Sequence, residues 1–168
     1  VRGLALASRG ALEAARREHR ALLRIAAEKP LAETTFSSGS SPKRLLTIAA
    51  ADLGGRIAAQ QGDYPTAIAL LEKAVELQDA LPYTEPPPWY FPQREALGDV
   101  LMRAGKPAQA QAVFQKQLEL TPRNGWSLHG LAQSLRAQGR DQDAERVEGA
   151  FTVAWQRADV PLSHTVFR

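Results

Sequence analysis

The segment from Gly125 to Gly130 has the residue types of a nucleophile elbow, with Ser127 and His129 between its two glycines. In such an elbow, a strained turn between a strand and a helix presents a serine that attacks a carbonyl carbon. Here the second glycine lies one residue too late, and the surrounding pattern is helical with no strand before it. Ser127 and His129 would also point to different sides of that helix. The segment therefore does not predict a nucleophilic serine.

Gly105 and Lys106 are the residue types that end a phosphate-binding loop, which is the second chemical motif to test. That loop needs a fixed glycine spacing and a hydroxyl that reaches Mg²⁺. The spacing back to Gly98 does not fit, and Pro107 stands where the hydroxyl would be. The absence of cysteine also excludes disulfides and thiolate chemistry. We therefore expect no enzyme activity and no cofactor within these residues.

Helices are expected to carry these residues, because the chain repeats itself with a period of 34 residues. That period is typical of helix-turn-helix repeats that stack side by side. Within such a repeat, Gly98 and Ala110 are small enough for two antiparallel helices to approach closely, and Pro122 ends the second helix. Four residues carry the period most clearly: Leu97, Leu101, Gly105 and Ala110 recur as Leu131, Leu135, Gly139 and Ala144.

The unit from Phe91 to Asn124 resembles the tetratricopeptide repeat at the positions that this family keeps small, large or helix-ending. The resemblance implies an all-α fold in which helix-turn-helix repeats, each with a helix A and a helix B, stack in a right-handed α-solenoid. It further implies a surface that holds a protein or peptide partner. The residues that carry the resemblance are Leu97, Gly98, Asp99, Val100, Leu101, Gly105, Ala110, Phe114 and Pro122.

We expect one domain over residues 1–168, because a chain of this length with 44% hydrophobic residues can bury one core. Each repeat has a glycine in the turn between its two helices. The 34-residue spacing of these turn glycines is broken twice, before Gly62 and before Gly105. The extra residues are rich in Ser and Thr at the first break and in Pro and aromatics at the second. The expected order is a partial repeat (1–29), a loop and helix start (30–47), a repeat (48–81), a Pro-rich insert (82–90), a repeat (91–124), a terminal repeat (125–158) and a tail (159–168).

The insert and the start of the terminal repeat extend the resemblance to the carboxyl end of long bacterial tetratricopeptide repeat proteins. The matching segments are 83–94, 124–131 and 154–155, within residues 45–160. That group includes exported proteins and offers no catalytic residues to carry over. We therefore expect a non-catalytic scaffold module of a larger bacterial protein. Because Val1 stands in place of methionine, we expect a piece of a longer chain whose targeting region lies elsewhere, so cytoplasmic and exported locations both stay open.

The positive charge of the chain is concentrated in the first 29 residues, which hold seven Lys or Arg against three Glu. The rest of the chain holds 14 Lys or Arg against 15 Asp or Glu, and the net charge is +3. The excess therefore lies on one amphipathic helix, without a stripe of aromatic and basic residues elsewhere. We expect no nucleic-acid binding. We also expect no membrane span, because no apolar run approaches the roughly 18 residues that one needs.

The resemblance places the partner on the concave face of the repeats, which helix A lines at five positions. The spacing of those positions follows one side of a helix. Mixed charges with one aromatic suit a peptide or a polar loop, and the alternative is a solvated helix face with ordinary ion pairs. The polar residues at those positions are Asp52, Arg56 and Gln60, then Glu95, Asp99 and Arg103, then Trp126, His129, Gln133 and Arg136.

Glu95 and His129 form a candidate cluster, since neighbouring A helices would bring them together. A carboxylate and an imidazole can bind a divalent metal or the carboxylate of a ligand. The alternative is a hydrogen bond that joins two repeats. The other histidines, His19 and His164, do not lie at ligand spacing, so no metal site is predicted. The cluster nevertheless defines an alternative function, a ligand- or metal-binding accessory domain that serves a catalytic N-terminal part.

Two groups of apolar residues, on the last helix and in the insert, are further candidates for binding. Val147, Phe151 and Trp155 form an apolar stripe on the last helix, which either the tail or a second copy of the chain would cover. The second copy defines another alternative, a self-association module that forms a homodimer through the C-terminal end. Aromatics also flank the prolines of the insert, either to bind a partner or to pack the insert on the repeats. These insert aromatics are Tyr83, Trp89 and Tyr90.

Overall fold

The computed structural model describes residues 1–29, 31, 34–36 and 39–162. All regular secondary structure within these residues is helical, which confirms the expected all-α fold of helix-turn-helix repeats, the α-solenoid class. No helix of the described part is long and apolar enough to cross a bilayer. Residues 163–168 of the expected tail and part of the loop 30–47 fall outside the described residues. The helices are α1 (Arg2–Ser8), α2 (Leu12–Ala26), α3 (Pro42–Gln60), α4 (Tyr64–Asp79), α5 (Gln93–Arg103), α6 (Pro107–Leu120), α7 (Gly125–Arg136) and α8 (Asp141–Trp155).

The helices group into two compact units, residues 1–93 and 94–168, which we call the N-terminal unit and the C-terminal unit. The N-terminal unit holds α1 to α4 and the Pro-rich insert. The C-terminal unit holds α5, apart from its first residue, and α6 to α8. α3 packs on α1, α2 and α4, while α7 packs on α6 and α8. The single domain and the repeat boundaries expected from the sequence stay predictions.

Polar side chains set where three of the helices begin. The Asp63 side chain accepts a hydrogen bond from the Thr66 N–H at 3.2 Å, and Pro65 lies in the first turn of α4. Ser41 and Asn124 cap α3 and α7 in the same way. Each cap satisfies a backbone N–H that has no partner inside the helix. The helix start expected within residues 30–47 thus lies at Ser41.

Each helix pair is joined by a turn in which a glycine adopts the left-handed conformation, with φ from 70° to 78°. The residue after the glycine donates to the carbonyl five residues earlier, as from the Lys106 N–H to Leu101 O at 2.9 Å. Residues with a Cβ rarely adopt this conformation. The same turn makes α1 and α2 a fourth pair, in which α1 has only seven residues. The four glycines are Gly10, Gly62, Gly105 and Gly139.

Gly55 lets α3 and α4 approach closely in the N-terminal unit. A Cβ at this position would lie 2.7 Å from Leu71 Cγ and 3.2 Å from the Ala67 carbonyl oxygen. Gly54 faces α2, where an added Cβ would lie 3.1 Å from the His19 ring. Two adjacent glycines lower the helix propensity of α3. Packing on two sides explains why both positions lack a side chain.

One aromatic ring connects three helices of the C-terminal unit. Phe114 of α6 is fully buried. Its ring occupies the space that a Cβ on Gly98 of α5 or on Gly130 of α7 would need. Ala110, one turn earlier on α6, is also fully buried, in line with the small residue expected at the helix crossing. The core of this unit therefore depends on two glycines that leave room for one ring.

Candidate functional site

The N-terminal unit contributes three of the predicted groove residues, all on α3. Asp52 is 4% exposed, and its Oδ1 accepts a hydrogen bond from Arg56 Nε at 2.7 Å. The Arg56 side chain keeps 25% of its surface exposed. Gln60, one turn further on, is exposed. Because the carboxylate is buried and the guanidinium is not, Asp52 orients Arg56, and Arg56 is the charged group that solvent reaches.

The C-terminal unit repeats this arrangement on α5. Asp99 and Arg103 form an ion pair at 3.7 Å, with side chains 12% and 26% exposed. The pair again joins residues four apart, so both side chains lie on one face of the helix. The Asp99–Arg103 pair lies one helical turn closer to Gly105 than the Asp52–Arg56 pair lies to Gly62. Each of the two helices therefore presents one arginine that a buried aspartate holds.

Glu95 of α5 is buried and accepts a hydrogen bond from Ser127 Oγ of α7 at 3.3 Å. Ser127 itself is fully buried, so this bond joins the A helices of two successive repeats away from solvent. The sequence pattern argued against a nucleophilic role for Ser127, but it did not identify this structural role. The sequence feature that could have indicated this role is the position of Ser127, a small polar residue on the side of helix A that faces the preceding repeat. Among the described residues, no three His, Asp or Glu side chains are placed to hold a metal ion.

His129 and Trp126 lie half-buried against α8 of the same repeat. The His129 ring centre is 5.4 Å from that of Phe151, and His129 Nε2 is 3.0 Å from Gln133 Nε2. Trp126 meets Trp155 edge to face at 5.7 Å, and Trp155 stacks on Phe151 at 5.8 Å. Such aromatic pairs contribute about 0.5–1.5 kcal/mol beyond the burial of their area. The two rings predicted in the groove thus form an aromatic cluster with Phe151 and Trp155 between α7 and α8.

Arg136 at the end of α7 is held by Glu148 of α8 through two parallel hydrogen bonds. Arg136 Nε donates to Oε1 at 2.8 Å, and Nη2 donates to Oε2 at 2.7 Å. Hydrogen bonding to Arg136 lowers the pKa of the Glu148 carboxyl, and the same bonds raise the pKa of Arg136. Glu148 stands where the preceding repeat, 34 residues earlier, has Phe114. Its ion pair explains this departure, because it joins the two helices of the terminal repeat.

The insert 82–90 is tied to α4 by the side chain of Gln78. Gln78 Nε2 donates to the carbonyl oxygens of Trp89 at 3.3 Å and Phe91 at 3.2 Å. Gln78 Oε1 accepts from the Gln93 N–H at 2.8 Å. Gln78 therefore holds both the end of the insert and the first residue of α5. The Trp89 side chain is half-buried beside this junction.

The two tyrosines of the insert are exposed, unlike Trp89. Tyr83 is 87% exposed and Tyr90 is 69% exposed. Tyr83 Oη donates to Glu85 Oε1 at 2.5 Å, and this hydrogen bond raises the pKa of the Tyr83 hydroxyl. The Tyr90 ring centre lies 4.2 Å from that of Phe91. Of the three insert aromatics, Tyr83 and Tyr90 are the ones that a partner reaches without rearrangement.

Comparison with protein-family models finds tetratricopeptide repeats at two places, residues 53–80 and residues 101–147. The first match covers the second half of α3 with α4, and the second runs from the end of α5 into α8. Comparison with curated protein sequences yields no match. Among solved structures, the crystal structure of MamA protein is similar, with a TM-score of 0.57 over 95% of this chain and 93% of that chain at 14% identity. At this identity the likeness shows the fold alone.

The two stretches that match the family models contain the turn and the helix crossing described above for the helix pairs. Each has a left-handed glycine turn and a small buried residue at the helix crossing, Ala67 in the first and Ala110 in the second. Repeats of this family generally serve as scaffolds for protein interaction, because they expose a long face on stacked helices. The chain therefore contains tetratricopeptide repeats, at residues 53–80 and 101–147.

Proposed function

We propose that this chain is a non-catalytic interaction module of a larger bacterial protein, and that it binds a protein or peptide partner through the A-helix face of its repeats. One observation carries the proposal. α3 and α5 each present a partly exposed arginine that is held by a buried aspartate on the same helix face. Such pairs are Asp52 with Arg56 and Asp99 with Arg103.

A held arginine is well suited to bind a peptide. Its side chain is already ordered by the aspartate, so it loses little further conformational entropy when a second group binds. The guanidinium presents N–H donors in a planar fork, a geometry that matches carboxylate and carbonyl oxygens. Gln60, one turn after Arg56 on α3, adds an exposed amide, and Gln133 adds another on α7. The expected partner is a polar peptide or loop that offers carbonyl or carboxylate oxygens.

Site-specific photo-crosslinking in cells tests the proposed face. A benzoylphenylalanine incorporated at Gln60 or at Gln133, both exposed on A helices, is expected to form a discrete crosslink to a partner protein. The same group at Gln115, which is exposed on the B helix α6, is the matched control and should form none. Crosslinks from Gln115 without any from Gln60 and Gln133 would overturn the proposal.

The crosslinked peptide, once sequenced and synthesised, allows a quantitative test. We expect Arg103→Gln to weaken its binding about tenfold or more, because a hydrogen bond to a charged group contributes about 1.5–3 kcal/mol. Asp99→Asn removes the group that orients Arg103 but keeps the guanidinium, so it should weaken binding less. If both variants bind the peptide as the unmodified chain does, the arginine is not a contact residue.

Self-association through the C-terminal end is a second candidate, and the exposure of apolar residues on α8 favours it. Val153 is 64% exposed, and Phe151 and Trp155 are half-buried. Trp155 Nε1 donates to Val160 O at 2.9 Å, so the chain after α8 covers part of that ring. A homodimer through this end would give twice the monomer mass on sedimentation, and Val153→Asp would restore the monomer. A monomer mass at every concentration would exclude this candidate.

A further inference from the structure

The B helix α2 carries three arginines that the proposed A-helix face does not use. Arg17, Arg20 and Arg24 are all exposed. They lie three and four residues apart, so they form one stripe along the helix, about 10 Å long at the helical rise. We call these three residues the arginine stripe. None of them makes an ion pair or a side-chain hydrogen bond with the part of the chain that the structure describes.

The other B helices expose the same three positions without placing cations at all of them. The arginine stripe occupies the seventh, tenth and fourteenth residues after its turn glycine, Gly10. The repeat therefore requires that these positions be exposed, and it does not require positive charge. The corresponding exposed residues are Ala69, Glu72 and Glu76 on α4, Ala112, Gln115 and Glu119 on α6, and Arg146, Gly149 and Val153 on α8.

No carboxylate of the described residues forms an ion pair with the arginine stripe, and Glu28, four residues after Arg24, lies beyond its end. Glu13 is paired with Arg16. Glu18 lies 3.5 Å from Arg2. Three like charges on one helix face repel each other, and together they raise the local positive potential. An anionic partner would relieve that repulsion, so the charge pattern fits a partner better than it fits the isolated helix.

We propose that the arginine stripe docks an acidic amphipathic helix of a partner protein, with carboxylates at the same three- and four-residue spacing. A guanidinium binds a carboxylate through two parallel hydrogen bonds, and the fork geometry favours this pairing over a point contact. Leu23 is 48% exposed and Ile25 is 46% exposed, on opposite sides of the stripe. A helix docked over the arginine stripe and displaced to one side would contact one of these two residues with an apolar side chain.

The surroundings of the arginine stripe favour an acidic protein over the other polyanions. Glu13 and Glu28 bound it at its two ends, so it offers three cations in a row, too few to follow a phosphate backbone. Leu23 and Ile25 lie on opposite sides, so they do not form the continuous apolar face by which a helix enters a bilayer. A short acidic helix matches both the length and the charge.

Fluorescence anisotropy with a defined peptide tests the proposal on the whole chain. The probe is a labelled amphipathic helix of about 15 residues, with glutamates three and four apart and leucines beside them. The control peptide has glutamine for each glutamate. We expect roughly tenfold tighter binding of the glutamate peptide, a difference that added salt reduces because exposed charges are screened.

The triple variant Arg17→Gln, Arg20→Gln, Arg24→Gln should remove that roughly tenfold preference, since it removes all three cations of the stripe. Its matched control replaces three exposed cations elsewhere, Lys106, Arg123 and Arg157, by Gln. This control loses the same charge and should keep the preference.

Circular dichroism verifies that both triple variants fold, as exposed positions should allow. Unchanged binding of the glutamate peptide by the stripe variant would overturn the proposal. Tighter, stripe-dependent binding of a single-stranded oligonucleotide or of phosphatidylserine vesicles would also overturn it, in favour of that anion. The proposed A-helix face does not depend on either result, because the stripe lies on a B helix.

Discussion

A Cβ on Gly98 would lie 2.3 Å from the ring of Phe114, closer than side chains approach one another. Gly130 faces the same ring from α7, where an added Cβ would lie 2.4 Å away. Phe114 is fully buried, so its ring has no open direction in which to move. One ring therefore sets the spacing of three helices, and it couples two glycine positions that lie far apart in the sequence.

Gly98→Ala and Gly130→Ala should each destabilise the chain by about 1–3 kcal/mol, the usual cost of overpacking a core. Gly149→Ala is the matched control, because nothing lies within 4 Å of its added Cβ on α8. That change should stabilise the helix by about 0.5–1 kcal/mol. Urea unfolding measures all three. If Gly98→Ala and Gly149→Ala shift the midpoint alike, the close contact with Phe114 does not exist.

Gln78→Ala should loosen the end of the insert, because it removes the partner of two carbonyl groups and of the Gln93 N–H. We expect a loss of about 1–3 kcal/mol, the cost of leaving such groups unsatisfied. Hydrogen exchange over residues 89–93 should accelerate, while that of α3 stays unchanged. Gln115→Ala, at an exposed position, is the control and should change neither. Unchanged protection of the Gln93 amide would contradict the role of Gln78.

Arg56→Gln should lower stability as well as binding, because Asp52 is a buried carboxylate whose side chain is 5% exposed. Removing one partner of a largely buried pair leaves the other charge uncompensated, at a cost of about 1–3 kcal/mol. The double variant Asp52→Asn, Arg56→Gln should recover part of this loss. Arg20→Gln, at an exposed arginine, should change stability by less than about 0.5 kcal/mol. A double variant less stable than Arg56→Gln alone would rule out this explanation.

The ion pair between Glu148 and Arg136 should make stability depend on pH in the acid range. Because hydrogen bonding to Arg136 lowers the pKa of Glu148 in the folded chain, its contribution is present above the unfolded value of about 4.3. That contribution is lost as the pH falls through the lowered folded pKa. The difference in Tm between the unmodified chain and Glu148→Gln should therefore be largest near neutral pH and shrink on acidification. Glu72→Gln, at an exposed position on α4, should show no such trend, and a difference for Glu148→Gln that grows toward low pH would reverse the assigned sign.

The repeat fold follows from short-range features that the sequence displays directly. The turn glycines and caps such as Asp63 act on the backbone within a few residues, so their effect does not depend on distant partners. The 34-residue period repeats these local signals along the chain. Gly98 and Ala110 could be assigned to a helix crossing because two helices that approach closely need small residues there. These features determined the fold class, the helix pairs and the faces of the A helices.

Which side chains meet was decided by the tertiary structure. A periodic pattern assigns a residue to a face of its helix, but the partner on the next helix depends on the crossing angle and on residues about one repeat away. Glu95 could thus be placed beside the following A helix, while Ser127 emerged as its partner only from the packed helices. Burial is decided in the same way, since the depth at which Asp52 and Asp99 lie depends on every helix packed around them. The sequence by itself therefore determined the repeat, and the packing of the repeats decided which of its charges reach solvent.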